Sequence, residues 1–490
     1  MTPLSKQLLP VIGLGLIAGI SLSSCKDSDK PATPPNADIV LKNHSATPAF
    51  ITKKAGFENL DVYSLVGSDD VLAQSPNFIF GGSADGAALL KQDDRYLMLV
   101  NHEDNFAVSR ITLDKTFKPV KGEYILNSDG GQWRLCSATL ATPAEHGFGP
   151  LYLTCGESSV ESFTNGLDPF ALTAAAAEKK ELPALGHWSA ENAVPLPKKA
   201  YKEKTVILIG DDDSGPAGGQ LAMYIGNSVG NFNNGSLYML KRKDNDQVET
   251  NMKTGNVYDV EFVKVDNYTT KTGAEINAEV DVLKALKFGR VEDIDYRKGK
   301  SATGREVYFN VTGQDKSGVN ADGSRTKFGR TYRLVMNETD PLKGQLELIL
   351  DGDDDAGIAK DFQNVDNICV TENYVYIQED SNTYGEETHD GYIYQYDIKG
   401  KTLKVVFELD HHRNASDAAQ YGSNPTTKKG SWEYGALIDV SDVTGVPDMF
   451  TLCVQPHSWT GAKYAGVDGG VKRAAENQAS QILVIKGLPK

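Results

Sequence analysis

The amino-acid sequence predicts an all-β fold, a β-propeller of about six blades with irregular loops and short helical insertions. Three observations lead there. Short β-rich runs recur along the chain, clusters of Gly, Asn, Asp and Ser divide them, and helical periodicity is scarce. Radial repetition lets many short sheets accumulate without long exposed edges, which favours a propeller over a two-sheet sandwich. The runs are at 96–101, 151–155, 205–209, 236–241, 306–312, 331–336 and 346–350, then 374–378, 391–397, 403–409 and 482–485. The best helical candidates are 169–180 and 278–287. A strand, turn and Tyr-rich strand recurs near Tyr238, Tyr332 and Tyr394, but no clean repeat period emerges.

The N-terminus reads as a processing segment. Lys6 precedes an apolar stretch from Leu8 to Ile20, too short to span a bilayer as a stable helix. Leu22-Ser23-Ser24-Cys25 follows, a bacterial lipobox pattern that makes Cys25 the lipidation site. The expected organisation is a lipoprotein signal peptide at 1–24, a lipidated flexible tether at 25–45 and one propeller domain at 46–490. The implied location is the bacterial cell envelope, with the membrane touched only through the Cys25 lipid.

The 490 residues carry 50 Lys plus Arg against 66 Asp plus Glu, a formal net charge of −16. A surface that binds nucleic acid needs the opposite balance. Five cysteines are too few for a disulfide scaffold.

Polar clusters sit where apolar runs end. Asn101-His102-Glu103-Asp104 follows one run and offers oxygen ligands for a hard cation, with His102 as ligand or proton carrier. Cys136 and Cys155-Gly156-Glu157 suit a disulfide, buried free thiols or a metal site, and the residues alone leave all three open. Gly210-Asp211-Asp212-Asp213 packs carboxylates that repel unless a cation or solvent relieves them. Arg290-Val291-Glu292-Asp293 pairs a phosphate-binding guanidinium with a metal-binding acid. Val365-Asp366-Asn367, Glu379-Asp380, Trp432-Glu433 and Gln455-Pro456-His457 repeat the theme. In a propeller such strand ends can converge on one mouth. The sequence has no Gly-x-Ser-x-Gly elbow, no P-loop and no His-Glu-x-x-His, so serine-hydrolase, nucleotide-dependent and zincin chemistry lack their usual support.

The order of these clusters, from about Asp85 to His457, resembles the PhoX-type alkaline phosphatase family. Asn101-His102-Glu103, Cys136, Thr154-Cys155-Gly156-Glu157, Gly210-Asp211-Asp212 and Arg290-Val291-Glu292-Asp293 match its motifs in turn. Val365-Asp366-Asn367 with Glu379-Asp380, and then Gln455-Pro456-His457, complete the series. The segment from Gly186 to Asn192 also resembles the family and puts Glu191 forward. The resemblance implies an exported, monomeric propeller that hydrolyses phosphate monoesters at a calcium and iron cluster. It implies Asn101, Glu103, Cys136, Glu157, Glu191, Asp211, Asp212, Glu292 and Glu379 as metal ligands, with Cys136 bridging iron. Arg290 would clamp the phosphate, and Arg290, Cys136 and Glu292 would form the catalytic set. Three departures stand out: Leu135-Cys136-Ser137-Ala138 lacks the family's glycines, Gly156 replaces a Glu, and Gln455-Pro456-His457 reverses the family's late His-Pro order. A calcium-binding propeller without catalysis and a calcium-dependent propeller esterase or lactonase are the alternatives.

Overall fold

The computed structural model describes residues 38–423 and 425–490. The lipobox and Cys25 lie outside the described residues. Among the described residues, no helix is long and apolar enough to cross a membrane.

The molecule is a propeller of antiparallel strands. Six strands lie innermost: Ala84–Gln92, Arg134–Ala141, Ala190–Pro195, Val291–Tyr296, Val365–Val370 and Glu433–Asp439. Each packs against the next, and the sixth packs against the first, so they form a closed ring. From each inner strand the chain runs outward through hairpins. The first sheet continues through Arg95–His102, Ala107–Leu113 and Pro119–Leu126. The third and fourth are fused at their outer edges by Val257–Lys264 pairing with Lys343–Asp351, which gives one nine-stranded sheet. The sixth is completed by an N-terminal strand, Asp61–Gly67, pairing with Gln481–Lys486. That pairing ties both ends of the propeller chain into one sheet.

Period-two alternation explains how a strand serves two cores at once. In Thr205–Asp211, Ile207 and Ile209 pack with Ala193 and Leu237, while Val206 and Leu208 pack with Phe309 and Leu334 on the other face. Burial on both faces is why this strand reads as a continuous apolar run.

One irregularity repeats in every blade. The pairing of each inner strand with its outer neighbour shifts register near the inner strand's start, between Ala84/Ala87, Leu135/Ala138, Ala190/Asn192, Val291/Ile294, Val365/Ile368 and Tyr434/Leu437. A bulge leaves a residue out of the ladder and re-aims its neighbours. Six bulges at one end of the ring let each inner strand turn one side chain toward the axis. Close packing there demands small residues. A Cβ on Gly435 would lie 2.4 Å from the Ala84 carbonyl oxygen, and one on Gly86 would lie 2.5 Å from the Ala138 nitrogen.

Three expectations need correction. The long helix is Gly273–Leu283, so 278–287 overlaps only its second half. It begins at a capping box, in which the Thr272 side chain accepts from the Glu275 backbone and the Glu275 carboxylate accepts from the Thr272 N–H. It stops at Lys284, which adopts a left-handed φ of 60°. The segment 169–180 holds only the short turn Thr173–Ala175, because its alanines supply no apolar face to bury. Residues 40–45, expected within the tether, are bound to the propeller: Val40 donates to the Thr116 carbonyl, His44 to that of Ser64, and Ser64 to Asn43 Oδ1.

Candidate metal and phosphate site

The bulged ends of the inner strands surround a cavity of about 230 Å³ on the ring axis. Each blade contributes one side chain from the start of its inner strand: Asp85, Cys136, Glu191, Glu292, Asp366 and Glu433. Outer-neighbour strands and the loops after them add Glu103, Asp104, Glu157, Asp380 and His457. Two guanidiniums, Arg134 and Arg290, complete the wall. Nine carboxylates and one thiol thus face two fixed cations and one imidazole.

Such a set is unstable as bare anions. Burial, reinforced by neighbouring carboxylates, pushes Asp85, Glu157, Glu191, Glu292, Asp366 and Glu433 well above the ordinary carboxylate range. Burial also pushes the Cys136 thiol well above its usual value, followed by the charges of Glu157 and Glu191. Asp212 goes the other way. Burial raises it, but the Arg290 guanidinium and donated hydrogen bonds outweigh that and hold it low.

The donor set fits metal ions. Glu103, Cys136 and Glu157 place ligand atoms within 4.8 Å of one another, as do Asp85, Cys136 and Glu191, and Glu191, Glu292 and Asp366. Asp85 Oδ1 and Asp366 Oδ1 are buried without hydrogen-bond partners. Carboxylate oxygens suit hard cations, and the thiol adds one softer donor.

Arg290 reaches the mouth from a backbone φ of +74°, a conformation costly for a side-chain-bearing residue. Its Nε and Nη2 donate to Asp212 at 2.6 and 3.2 Å, and Nη1 donates to Asn382 Oδ1 at 2.8 Å. Nη2 also lies 3.4 Å from Glu292 Oε1. Arg134 is held by Glu103 at 3.0 Å and Asp104 at 2.9 Å, and remains more exposed. His457 Nδ1 faces Gln478 Oε1 at 2.7 Å, and its Nε2 faces Glu433 Oε2 at 3.1 Å.

The sequence-derived residues therefore divide. Glu103, Cys136, Glu157, Glu191, Arg290 and Glu292 line the cavity. Asn101 does not. It is fully buried behind the wall, where Nδ2 donates to the Cys136 carbonyl and to Thr154 Oγ1, and Oδ1 accepts from the Tyr152 hydroxyl. Glu379 is also turned away, accepting from the Gln363 and Tyr392 backbones and the Tyr394 hydroxyl, with His389 against its other oxygen. Its neighbour Asp380 takes the cavity position, because consecutive residues at a strand end point to opposite sides. Asp212 stands behind Arg290 instead of in the wall, and Asp211 is buried outside it with both oxygens unpartnered. His102 is structural: its ring lies between the Gly82 carbonyl and Ser109, and burial lowers it to about 4. Cys136 and Cys155 are not bonded. Cys136 Sγ donates to Glu157 Oε2 at 2.9 Å, whereas Cys155 Sγ contacts the Thr164 hydroxyl.

Asp85 and Arg134 were not singled out as site residues from the sequence. Asp85 carries a readable signal, an acid before a small or polar residue at a bulge. Glu191-Asn192, Glu292-Asp293 and Asp366-Asn367 repeat it. The second members knit the ring together: Asn192 donates to Asp293, Asn367 donates to Ser137 at 2.7 Å, and Asp293 accepts from the Ile368 N–H. Arg134 has no comparable signal.

A family model described as alkaline phosphatase PhoX matches residues 166–426, just over half of the chain. The chain belongs to the PhoX alkaline phosphatase family. It is accordingly a phosphatase by family, built on the propeller described above. Among solved structures, Pseudomonas fluorescens PhoX in complex with vanadate, a transition state analogue, aligns with a TM-score of 0.60 at 13% identity, covering 90% of this chain and 96% of that one. The PQQ-bound aldose sugar dehydrogenase of Streptomyces coelicolor aligns with a TM-score of 0.38 at 11% identity, covering 88% and 100%. The Fusarium graminearum α-L-arabinofuranosidase aligns at 0.36 and 12% identity, covering 86% and 96%. No curated protein matches the chain. A side chain at Gly156 would force its neighbours to shift. A Cβ there would lie 2.9 Å from the Phe163 carbonyl and 3.0 Å from Trp133 Cβ.

Proposed function

We propose that the chain is a metal-dependent phosphomonoesterase whose active site is the acidic mouth of the propeller. One observation carries this reading: a ring of inward carboxylates and one thiol encloses two guanidiniums, in a chain of the PhoX family. Asp85, Glu103, Glu157, Glu191, Glu292 and Asp366 would hold calcium, and Cys136 with its neighbouring carboxylates would hold iron. Bound cations supply charge neutralisation for the ester dianion and an acidified water nucleophile.

The chain's own residues do the rest. Arg290 binds peripheral phosphoryl oxygens through the edge of its fork not occupied by Asp212, and does so most strongly as charge spreads over them in the transition state. Asp212 and Asn382 hold that guanidinium in one orientation before substrate arrives, so reorientation costs nothing during reaction. Arg134, tethered to Glu103 and Asp104, gives the incoming dianion a second, more exposed contact. His457, whose Nε2 lies 3.1 Å from Glu433 Oε2, would serve as proton donor to the departing alkoxide.

The test is p-nitrophenyl phosphate hydrolysis by protein carrying calcium and iron, with metal content measured on the same sample. Turnover that depends on both metals supports the reading. Background rates with both metals bound defeat it. The lipobox extends the proposal to an exported lipoprotein held in the envelope by Cys25, and loss of labelled-lipid incorporation in Cys25→Ser is its check.

A further inference from the structure

A second cluster of metal-binding groups lies outside the mouth, where a loop within the fifth blade meets the connection from the fifth blade to the sixth. Asp390 comes from the loop between Tyr374–Glu379 and Tyr392–Asp397. His411 and His412 follow the strand Thr402–Leu409 directly. Asp390, His411 and His412 bring one ligand atom each to within 4.8 Å of one another. We infer that this is a transition-metal site of two imidazoles and one carboxylate, suited to zinc, that clips together the loops bordering the mouth.

The orientation of the rings carries the inference. His412 Nε2 lies 2.6 Å from the Thr427 carbonyl, an acceptor only, so Nε2 bears the proton. Its Nδ1 then faces Asp390 Oδ2. His411 Nε2 faces the Thr427 hydroxyl at 3.3 Å. Its Nδ1 is buried with no hydrogen-bond partner and lies 3.8 Å from Asp390 Oδ1, too far for a hydrogen bond. The His411 residue is only 1% exposed, so that orphaned nitrogen is aimed into the cluster and not into water. Two Nδ1 atoms converge on one carboxylate while Thr427 engages both Nε2 atoms. Metal-binding histidines are commonly oriented in this way, the distal nitrogen fixed by a backbone or side-chain acceptor. Nitrogen donors with one carboxylate suit zinc better than calcium.

The site is framed by rigid neighbours. The His411 ring stacks on Trp432 at 4.7 Å, immediately before Glu433 of the mouth, and Asp390 Oδ1 accepts from the Gly430 N–H at 3.1 Å. A bound cation would therefore fix the backbone on either side of Asp380 and Glu433 without touching substrate.

The experiment measures zinc equivalents and thermal midpoint on the full chain, dialysed with zinc, for the unaltered protein, His412→Gln and His411→Ala. One zinc fewer in each variant, together with loss of the zinc-induced rise in Tm, is the expected result. His411 packs on Trp432, so His411→Ala carries a folding risk; the partly exposed His412→Gln carries the test alone if that variant fails. Equal zinc content and an equal zinc-induced rise in His412→Gln and the unaltered chain overturn the inference and leave an Asp390–imidazolium ion pair.

Discussion

Arg290 and Asp212 form a two-pronged ion pair, with Nε and Nη2 of the guanidinium on separate carboxylate oxygens at 2.6 and 3.2 Å. The pair joins the fourth blade to the third, while Nη1 donates to Asn382 and Nη2 also lies 3.4 Å from Glu292 Oε1. A lysine offers a point charge and cannot reproduce both contacts. Arg290→Ala should lower kcat by about 10²–10³-fold, the usual cost of removing one donor to transition-state charge. Arg290→Lys should recover little of it. Asp212→Asn should retain folding and metal content but lose part of kcat, because the guanidinium is no longer aimed. Steady-state kinetics on metal-assayed protein checks all three.

Asn101 offers a contrast between structural and ligand roles. Its amide satisfies the Cys136 carbonyl, Thr154 and the Tyr152 hydroxyl, all buried. Asn101→Ala leaves those groups unpaired at a cost of about 1–3 kcal/mol each at most. The variant should unfold at lower temperature yet keep the metal content of the unaltered chain in its folded fraction. A metal deficit with unchanged Tm would place Asn101 in the coordination sphere after all.

That contrast shows what was legible beforehand and what was not. The strand runs were readable because a blade buried on both faces needs consecutive apolar residues, as in Thr205–Asp211. The acids at strand ends were readable as a recurring pattern. Which acid of a pair enters the mouth was not: Glu379 and Asp380 differ only in the side of the strand end they occupy, and a bulge decides that side. Asp85-Gly86 carries the acid-before-small pattern, but only its pairing with Arg95–His102 places a bulge there. Arg134 enters the site by reaching Glu103 and Asp104 of the preceding blade, a relationship that no local pattern encodes.

Ring closure also makes a glycine testable. Gly435 sits where a Cβ would meet the Ala84 carbonyl oxygen at 2.4 Å, backbone that cannot swing aside. Gly435→Ala should cost about 1–3 kcal/mol through overpacking. It should also displace Asp85, which adjoins Ala84, so activity should fall together with Tm. Unchanged melting would show that the sixth and first blades are less tightly apposed than described.

Acid sensitivity should involve His146, away from the mouth. Burial holds it near 4 in the folded chain, against 6.5 unfolded, and its Nδ1 accepts from the Thr142 N–H at 3.0 Å. The unfolded chain therefore binds the extra proton between pH 6.5 and 4. Stability must fall as pH drops through that window, by about 3 kcal/mol at its end. His146→Gln should flatten this part of the Tm-versus-pH curve relative to the unaltered chain.

Removal of metals should reverse the slope contributed by the mouth. Without cations, the raised carboxyls of Glu157, Glu191, Glu292 and Glu433 keep protons that the unfolded chain releases near its usual 4.5. The folded state then binds more protons above that pH, so its stability falls as pH rises toward the folded values. Chelated protein should melt earlier than metal-loaded protein at pH 8, and the gap should narrow as pH is lowered toward 5.5. His146 acts equally on both forms and cancels in the difference. Calcium and iron added back at pH 8 should restore both Tm and phosphatase turnover. A chelated form that melts like the loaded one at pH 8 would mean that these carboxylates reach solvent or one another without needing a cation between them.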